Sequence, residues 1–136
     1  MSGSTPADHE AAIRTVMSSY EAALNGSNTE AVMPLYADDG VFMAPNNQSA
    51  VGKAAVRQAY DAVFKAITLK VKFSIAELIV MSPQWAYVRT NSAGTQTINA
   101  TGATSREANQ ELFIFKNGDD GRWRIARYSF STTNPA

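Results

Sequence analysis

The segment Glu111–Phe130 constrains this chain more than any other. Two runs rich in aromatic and β-branched residues, Glu111-Leu-Phe-Ile-Phe-Lys116 and Arg122-Trp-Arg-Ile-Ala-Arg-Tyr-Ser-Phe130, flank the polar link Asn117-Gly-Asp-Asp-Gly121. That is the pattern of a β-hairpin. Strict alternation sets Leu112 and Ile114 against Phe113 and Phe115, and Trp123 and Ile125 against Ala126, Tyr128 and Phe130. A sheet with one wet face alternates apolar with polar residues. Both faces of this hairpin therefore require cover.

The upstream chain supplies cover for one of them. Thr5-Pro6 reads as an N-cap and first helical residue, with Asp8 in the first turn. Ile13, Val16, Met17, Tyr20, Ala23 and Leu24 then form a helical stripe that stops at Gly26. Asn28 caps a shorter helix through Val32, Leu35 and Tyr36, which Pro34 shortens and Asp38-Asp-Gly40 ends. Val41–Ala44 is a short strand stopped by Pro45, and Asn46–Ser49 is a loop. Val56, Tyr60, Val63, Phe64 and Ile67 place a third amphipathic helix over Lys53–Ile67. Past Thr68 the chain reads as strand: Lys70–Met81, then Trp85–Ile98 with Gly94 as a bulge or bend. After a loop over Asn99–Ser105 come the hairpin and a polar tail, Ser131–Pro135.

Three helices followed by four long strands predict an α+β fold, with the helices on one face of a strongly curved antiparallel sheet. The first of the four long strands repeats the two-faced pattern, Phe73, Ile75, Ile79 and Met81 opposing Ala76, Leu78 and Val80. The uncovered face predicts a homodimer through the outer side of the sheet. A sheet curled enough to bury both faces within one chain is the alternative.

Composition narrows the chemistry. The chain has 136 residues, the length of one domain with its own core. Its twelve basic and twelve acidic residues cancel, leaving no net field to draw in nucleic acid or an anionic membrane. No cysteine is present and His9 is the sole histidine, so thiol chemistry, histidine triads and a metal centre are not expected. The start, Met1-Ser-Gly-Ser-Thr-Pro, has neither a basic n-region nor an apolar h-region, and no run is apolar enough to span a bilayer. A cytoplasmic location is expected. Arg122, Arg124 and Arg127 interleave with Trp123 and Tyr128, but Glu107, Glu111, Asp119 and Asp120 lie close by, so nucleic acid is not the expected partner.

Several segments carry a family resemblance. Tyr20-Glu-Ala-Ala-Leu-Asn-Gly-Ser-Asn-Thr-Glu-Ala-Val, Leu35-Tyr-Ala-Asp-Asp-Gly40, Gly52-Lys-Ala-Ala-Val-Arg and Gly121-Arg-Trp-Arg-Ile-Ala-Arg-Tyr are similar to the nuclear transport factor 2-like superfamily. Within it the chain most resembles the SnoaL-like group, which includes ketosteroid isomerases and polyketide cyclases, and there the SgcJ/EcaC-type proteins. The likeness runs over roughly residues 8 to 130. It implies a cone-shaped, cystatin-like or ketosteroid isomerase-like half-barrel that encloses a pocket and dimerises through the outer sheet face. It also implies a small apolar or aromatic ligand, and cofactor-free isomerisation, cyclisation or dehydration if the pocket is catalytic. A non-catalytic oligomerisation or ligand-binding module of the same fold is the alternative. Ketosteroid isomerisation itself needs a tyrosine and two carboxyl groups. Tyr20 falls at the tyrosine position, but the residue before Pro45 is Ala44, and the second acid would fall near Ala108 or Asn109. Steroid isomerase activity is therefore not expected.

The remaining candidates are polar residues that enter apolar strands. Arg89 continues the face of Trp85 and Tyr87, Glu77 interrupts Ile75 and Ile79, and Asn109, Gln110 and Glu111 open the penultimate strand. A charge inside a half-barrel must be paired or near water. An Arg89–Glu111 pair at the pocket mouth is one reading, with Glu111 as acid/base and Arg89 holding a carboxylate or enolate. A cross-strand ion pair on the outer face, without a ligand role, is the other. Catalytic candidates are thus Tyr20, Arg89 and Glu111. Asn109 and Gln110, with Tyr36, Tyr60, Trp85, Tyr87, Tyr128 and Phe130 as an aromatic lining, are the candidates for binding a planar ligand.

Overall fold

A computed structural model of the chain describes residues 5–134. Met1–Ser4 and the end of the expected tail at Pro135 lie outside the described residues. Helix α1 spans Pro6–Asn25, and Thr5 caps it with a full capping box: its hydroxyl accepts from the Asp8 N–H while the Asp8 carboxylate accepts from the Thr5 N–H. Its buried stripe is Ile13, Met17, Tyr20, Ala23 and Leu24. Helix α2 is a single turn, Thr29–Val32, continued by a 3₁₀ turn over Met33–Leu35. The expected second helix ends early because Pro34 removes a backbone donor. Tyr36 then begins a strand, β1 (Tyr36–Met43), so Asp38, Asp39 and Gly40 lie within a strand and not in a helix-ending turn. Strand β2 is the short Ala50–Val51, and α3 runs over Lys53–Ala66.

Four long strands follow: β3 (Ile67–Val80), β4 (Trp85–Ile98), β5 (Thr104–Asn117) and β6 (Trp123–Thr132). The sheet has six strands in the order β2-β1-β6-β5-β4-β3. It is mixed, because β1 lies parallel to β6 while the other neighbours are antiparallel. The three helices cover its concave face. Helix α1 also closes the free edge of β3. The Asn25 side chain pairs with both backbone groups of Val71, at 2.8 Å each, and the Glu21 carboxylate accepts from the Phe73 N–H at 2.7 Å. Two side chains thus occupy ladder positions that would otherwise stay open to a foreign strand.

The two-faced pattern of the sequence has a structural explanation in two bulges. In β3 the register slips between Ile75 and Glu77, and in β6 it slips across Ala126. One extra residue reverses the parity of everything beyond it. Trp123, Ile125, Tyr128 and Phe130 therefore share the concave side with Phe113 and Phe115, and Leu78 and Val80 join Phe73 and Ile75. Gly94, expected as a bulge or bend, keeps regular register with Val71 and Glu107 and is no bulge. The convex face is mixed: Leu112, Ile79, Trp85 and Met81 remain 41%, 42%, 40% and 55% exposed, beside Arg89, Gln110 and Lys116. No helix among the described residues is long and apolar enough to cross a membrane.

Candidate functional site

Between α1, α3 and the concave sheet lies a cavity of about 320 Å³. Its walls are apolar: Leu24, Val63, Ile67, Leu69, Val71 and Phe73 on one side, Phe42, Tyr128 and Phe130 on the other. The last three rings are near parallel, with centroids 5.5 Å apart for Phe42 and Tyr128 and 5.7 Å for Tyr128 and Phe130. Such a wall matches a flat ring system.

Polar groups enter this cavity from two directions. From the helices comes a chain of phenols. The Tyr20 and Tyr60 hydroxyls are 2.6 Å apart, and the Tyr60 and Tyr36 hydroxyls are also 2.6 Å apart. Tyr20 and Tyr60 line the cavity, whereas Tyr36 is fully buried behind them. Burial pushes the pKa of all three, and of Tyr128, above the ordinary tyrosine value, so they stay protonated donors at neutral pH.

From the sheet comes a row of alternate β5 residues, Glu107, Asn109 and Glu111. Glu111 is only 5% exposed. Its register partner is Thr90, whose hydroxyl donates to Oε1 at 2.5 Å, and Ser92 two residues along β4 donates to Oε2 at 2.5 Å. Burial raises the Glu111 pKa above the ordinary carboxylate value, the two hydroxyls pull it back, and the charge on Glu107 adds to the rise. Glu107 is also raised by burial, with the Asn109 amide opposing. Among the described residues no group of three or more acidic or histidine side chains could hold a metal ion.

Of the two readings of Arg89, the pair with Glu111 does not form and the cross-strand ion pair on the outer face does. Glu111 faces Thr90, so Arg89, one residue away, points to the opposite side of the sheet. There it donates to Glu77 Oε1 at 2.8 Å, on the exposed convex face, and holds the Glu77 pKa below its ordinary value. Trp85 and Tyr87 follow the same parity and do not line the cavity; Trp85 instead lies 5.5 Å under the Lys116 ammonium. Gln110 is likewise convex and donates to Ser131. Tyr20, Tyr60, Asn109, Glu111, Tyr128 and Phe130 are brought together around the cavity, and Tyr36 supports them from behind. His9 is half-buried and accepts the Trp123 indole N–H at 3.0 Å. Glu107, Ser92, Thr90, Phe42 and Phe73 join the site without having stood out in the sequence as candidates for it. Stepping back by twos from Phe115 and Phe113 reaches Glu111, Asn109 and Glu107, and would have excluded Gln110.

The SnoaL-like domain model matches residues 16–127, which hold the Tyr20 phenol, the β5 row and the sheet that curves around them. This chain belongs to the SnoaL-like domain family. Among solved structures it is similar to a ketosteroid isomerase-like protein from Erwinia carotovora atroseptica SCRI1043, at 37% identity, with 92% of this chain and 96% of that chain covered and a TM-score of 0.88. A candidate scytalone dehydratase from Novosphingobium aromaticivorans DSM 12444 shares the fold at 19% identity, 93% and 85% coverage and a TM-score of 0.80. A candidate calcium/calmodulin dependent protein kinase II association domain from Xanthomonas campestris does so at 22% identity, 98% and 95% coverage and a TM-score of 0.75. No curated protein matches the sequence. The SnoaL-like scaffold accounts for the half-barrel, and its chemistry here must be argued from the site.

Proposed function

We propose that this SnoaL-like protein binds an apolar, oxygen-bearing small molecule in its cavity and moves a proton on it without a cofactor. The observation that carries this reading is that Tyr20, at the end of a hydrogen-bonded phenol chain, and the buried Glu111 enter one apolar cavity. With Tyr36 donating to Tyr60 and Tyr60 donating to Tyr20, the Tyr20 proton is left for a ligand oxygen, and each bond polarises the next. A bond of this kind strengthens as a carbonyl becomes an enolate. Glu111 takes the proton from the adjacent carbon and returns it to another carbon of the same skeleton. Its raised pKa makes the carboxylate a better base. The ketosteroid isomerase-like relative and the candidate scytalone dehydratase support a small-molecule reading by analogy.

Exchange of the protons beside the carbonyl of 2-tetralone in D₂O, followed by NMR, tests this. The protein is expected to accelerate exchange over buffer, and Glu111→Gln to lower the acceleration by roughly a hundredfold. The base works only when ionised, so activity is lost as pH falls through the Glu111 pKa, which lies above the ordinary carboxylate value because of burial. Tetralone that binds without faster exchange would reduce the function to ligand binding.

We also propose that the convex face pairs with a second copy. The exposed Leu112, Ile79 and Trp85 support this, and the resemblance to an association domain agrees with self-assembly. Sedimentation should give about twice the 14.7 kDa chain mass, with Leu112→Arg returning monomer. A wild-type monomer at micromolar concentration would refute the pairing. A purely non-catalytic assembly role is the second reading, but a filled interior would suit it better than a cavity of about 320 Å³.

A further inference from the structure

The cavity carries acidic groups with nothing to balance them. Glu107 and Glu111 both face it, and no lysine, arginine or histidine is among the residues that line it. Glu111 has both oxygens occupied by hydroxyl donors from β4. Glu107 does not. Its Oε1 accepts from the Asn109 amide at 3.2 Å, while Oε2 is withdrawn from solvent with no hydrogen-bond partner among the described residues. A carboxylate left in that condition is costly unless a donor, and best a cation, reaches it. The two carboxyls also repel one another, and a positive group between them would relieve both.

The two polar stations are well separated. Four residues along β5 divide Glu107 from Glu111, about 13 Å of strand. Glu107 is half-buried where Glu111 is buried, so Glu107 stands at the outer end of the cavity and Glu111 at the inner end. The aromatic wall of Phe42, Tyr128 and Phe130 lines the same space and is itself attractive to cations.

We propose that Glu107 anchors a basic amine, so that the ligand is a ring-bearing molecule with an oxygen toward Tyr20, a protonated nitrogen at Glu107 and no anionic group. This inference rests on the cavity being a ligand site, and it names the ligand class for that site. Carboxylates and phosphates of similar size are rejected, since no cation waits for them and two acids oppose them.

Three probes of matched size separate the possibilities: 2-naphthylmethylamine, 2-naphthalenemethanol and 2-naphthoate, titrated calorimetrically into the full chain at neutral pH. The amine should bind at least about tenfold tighter than the alcohol, and the carboxylate weakest of all. Glu107→Gln keeps the shape of the side chain and should bring the amine down to about the level of the alcohol. A carboxylate that equals the amine, or an amine preference that survives Glu107→Gln, overturns the inference. Alcohol binding with no advantage for the amine overturns it too, yet leaves the cavity as a ligand site. Binding by none of the three removes both readings. Where Glu107→Gln does not fold, Glu107→Ala reads the assignment to Glu107 in its place, and a wild-type ranking without an amine advantage overturns the inference by itself.

Discussion

Gly94→Ala is expected to leave little folded protein, although it adds one methyl group in the middle of a strand. A Cβ at residue 94 would lie 1.9 Å from the Lys70 carbonyl oxygen and 2.8 Å from the Val71 Cα. Both obstacles are backbone, so no rotamer change relieves the clash. The strands must separate or the sheet must flatten, and either movement costs at least about 3 kcal/mol, the upper range for overpacking. That is a large part of the stability of a domain this size. Val71, Gly94 and Glu107 lie side by side across three strands, and Val71 and Glu107 line the cavity, so either movement also opens it. Urea denaturation measures the cost. Ala93→Ser, at the exposed neighbour, should change stability by less than about 0.5 kcal/mol. A Gly94→Ala protein within 1 kcal/mol of wild type would mean that the sheet tolerates the added volume by bending elsewhere.

Gly94 also illustrates how far the residues alone could be read. Its type signals a bulge or a bend in the strand. The actual requirement is close approach of β3, which only the curved sheet reveals. The real bulges fall at Ala76 and Ala126, two small residues with no turn chemistry of their own. Nothing local marks them. They exist because parity must change for the apolar residues on both sides to reach one core. The helices were easier: the Thr5 capping box, the Tyr20 stripe and the α3 pattern are local signals, and each lies where periodicity puts it. The parallel pairing of β1 with β6 was not legible, because it joins residues nearly ninety apart in the chain and β1 opens in a stretch that looks like a helix end.

The site shows the same division. Tyr20 and Glu111 could be singled out because a polar group on an otherwise apolar face needs a reason. Their partners could not. Thr90 and Ser92 look like ordinary strand residues until the β4–β5 register sets them against Glu111. Arg89 drew attention for its charge, and one residue of register sends it to Glu77 on the other face. Charge marks candidates; register decides which of them meet.

Among the phenols, Tyr60→Phe should destabilise the fold most, ahead of Tyr20→Phe and Tyr36→Phe. All three hydroxyls are buried, at no more than 1% exposure each. Tyr60 sits between the other two, 2.6 Å from each. Removing the Tyr20 or Tyr36 hydroxyl leaves the remaining pair bonded, at a cost of about 1 kcal/mol. Removing the Tyr60 hydroxyl breaks both bonds and strands two buried polar groups, each worth about 1–3 kcal/mol when unpaired. The expected loss is about 3 kcal/mol, read as a shift in the urea midpoint at constant slope. The Tyr60→Phe/Tyr36→Phe double variant should be more stable than Tyr60→Phe alone, because it removes one of the stranded hydroxyls. Equal losses for the three single variants would mean that the hydroxyls do not act as a linked chain. The Tyr20 proton would then reach a ligand without help from the phenols behind it.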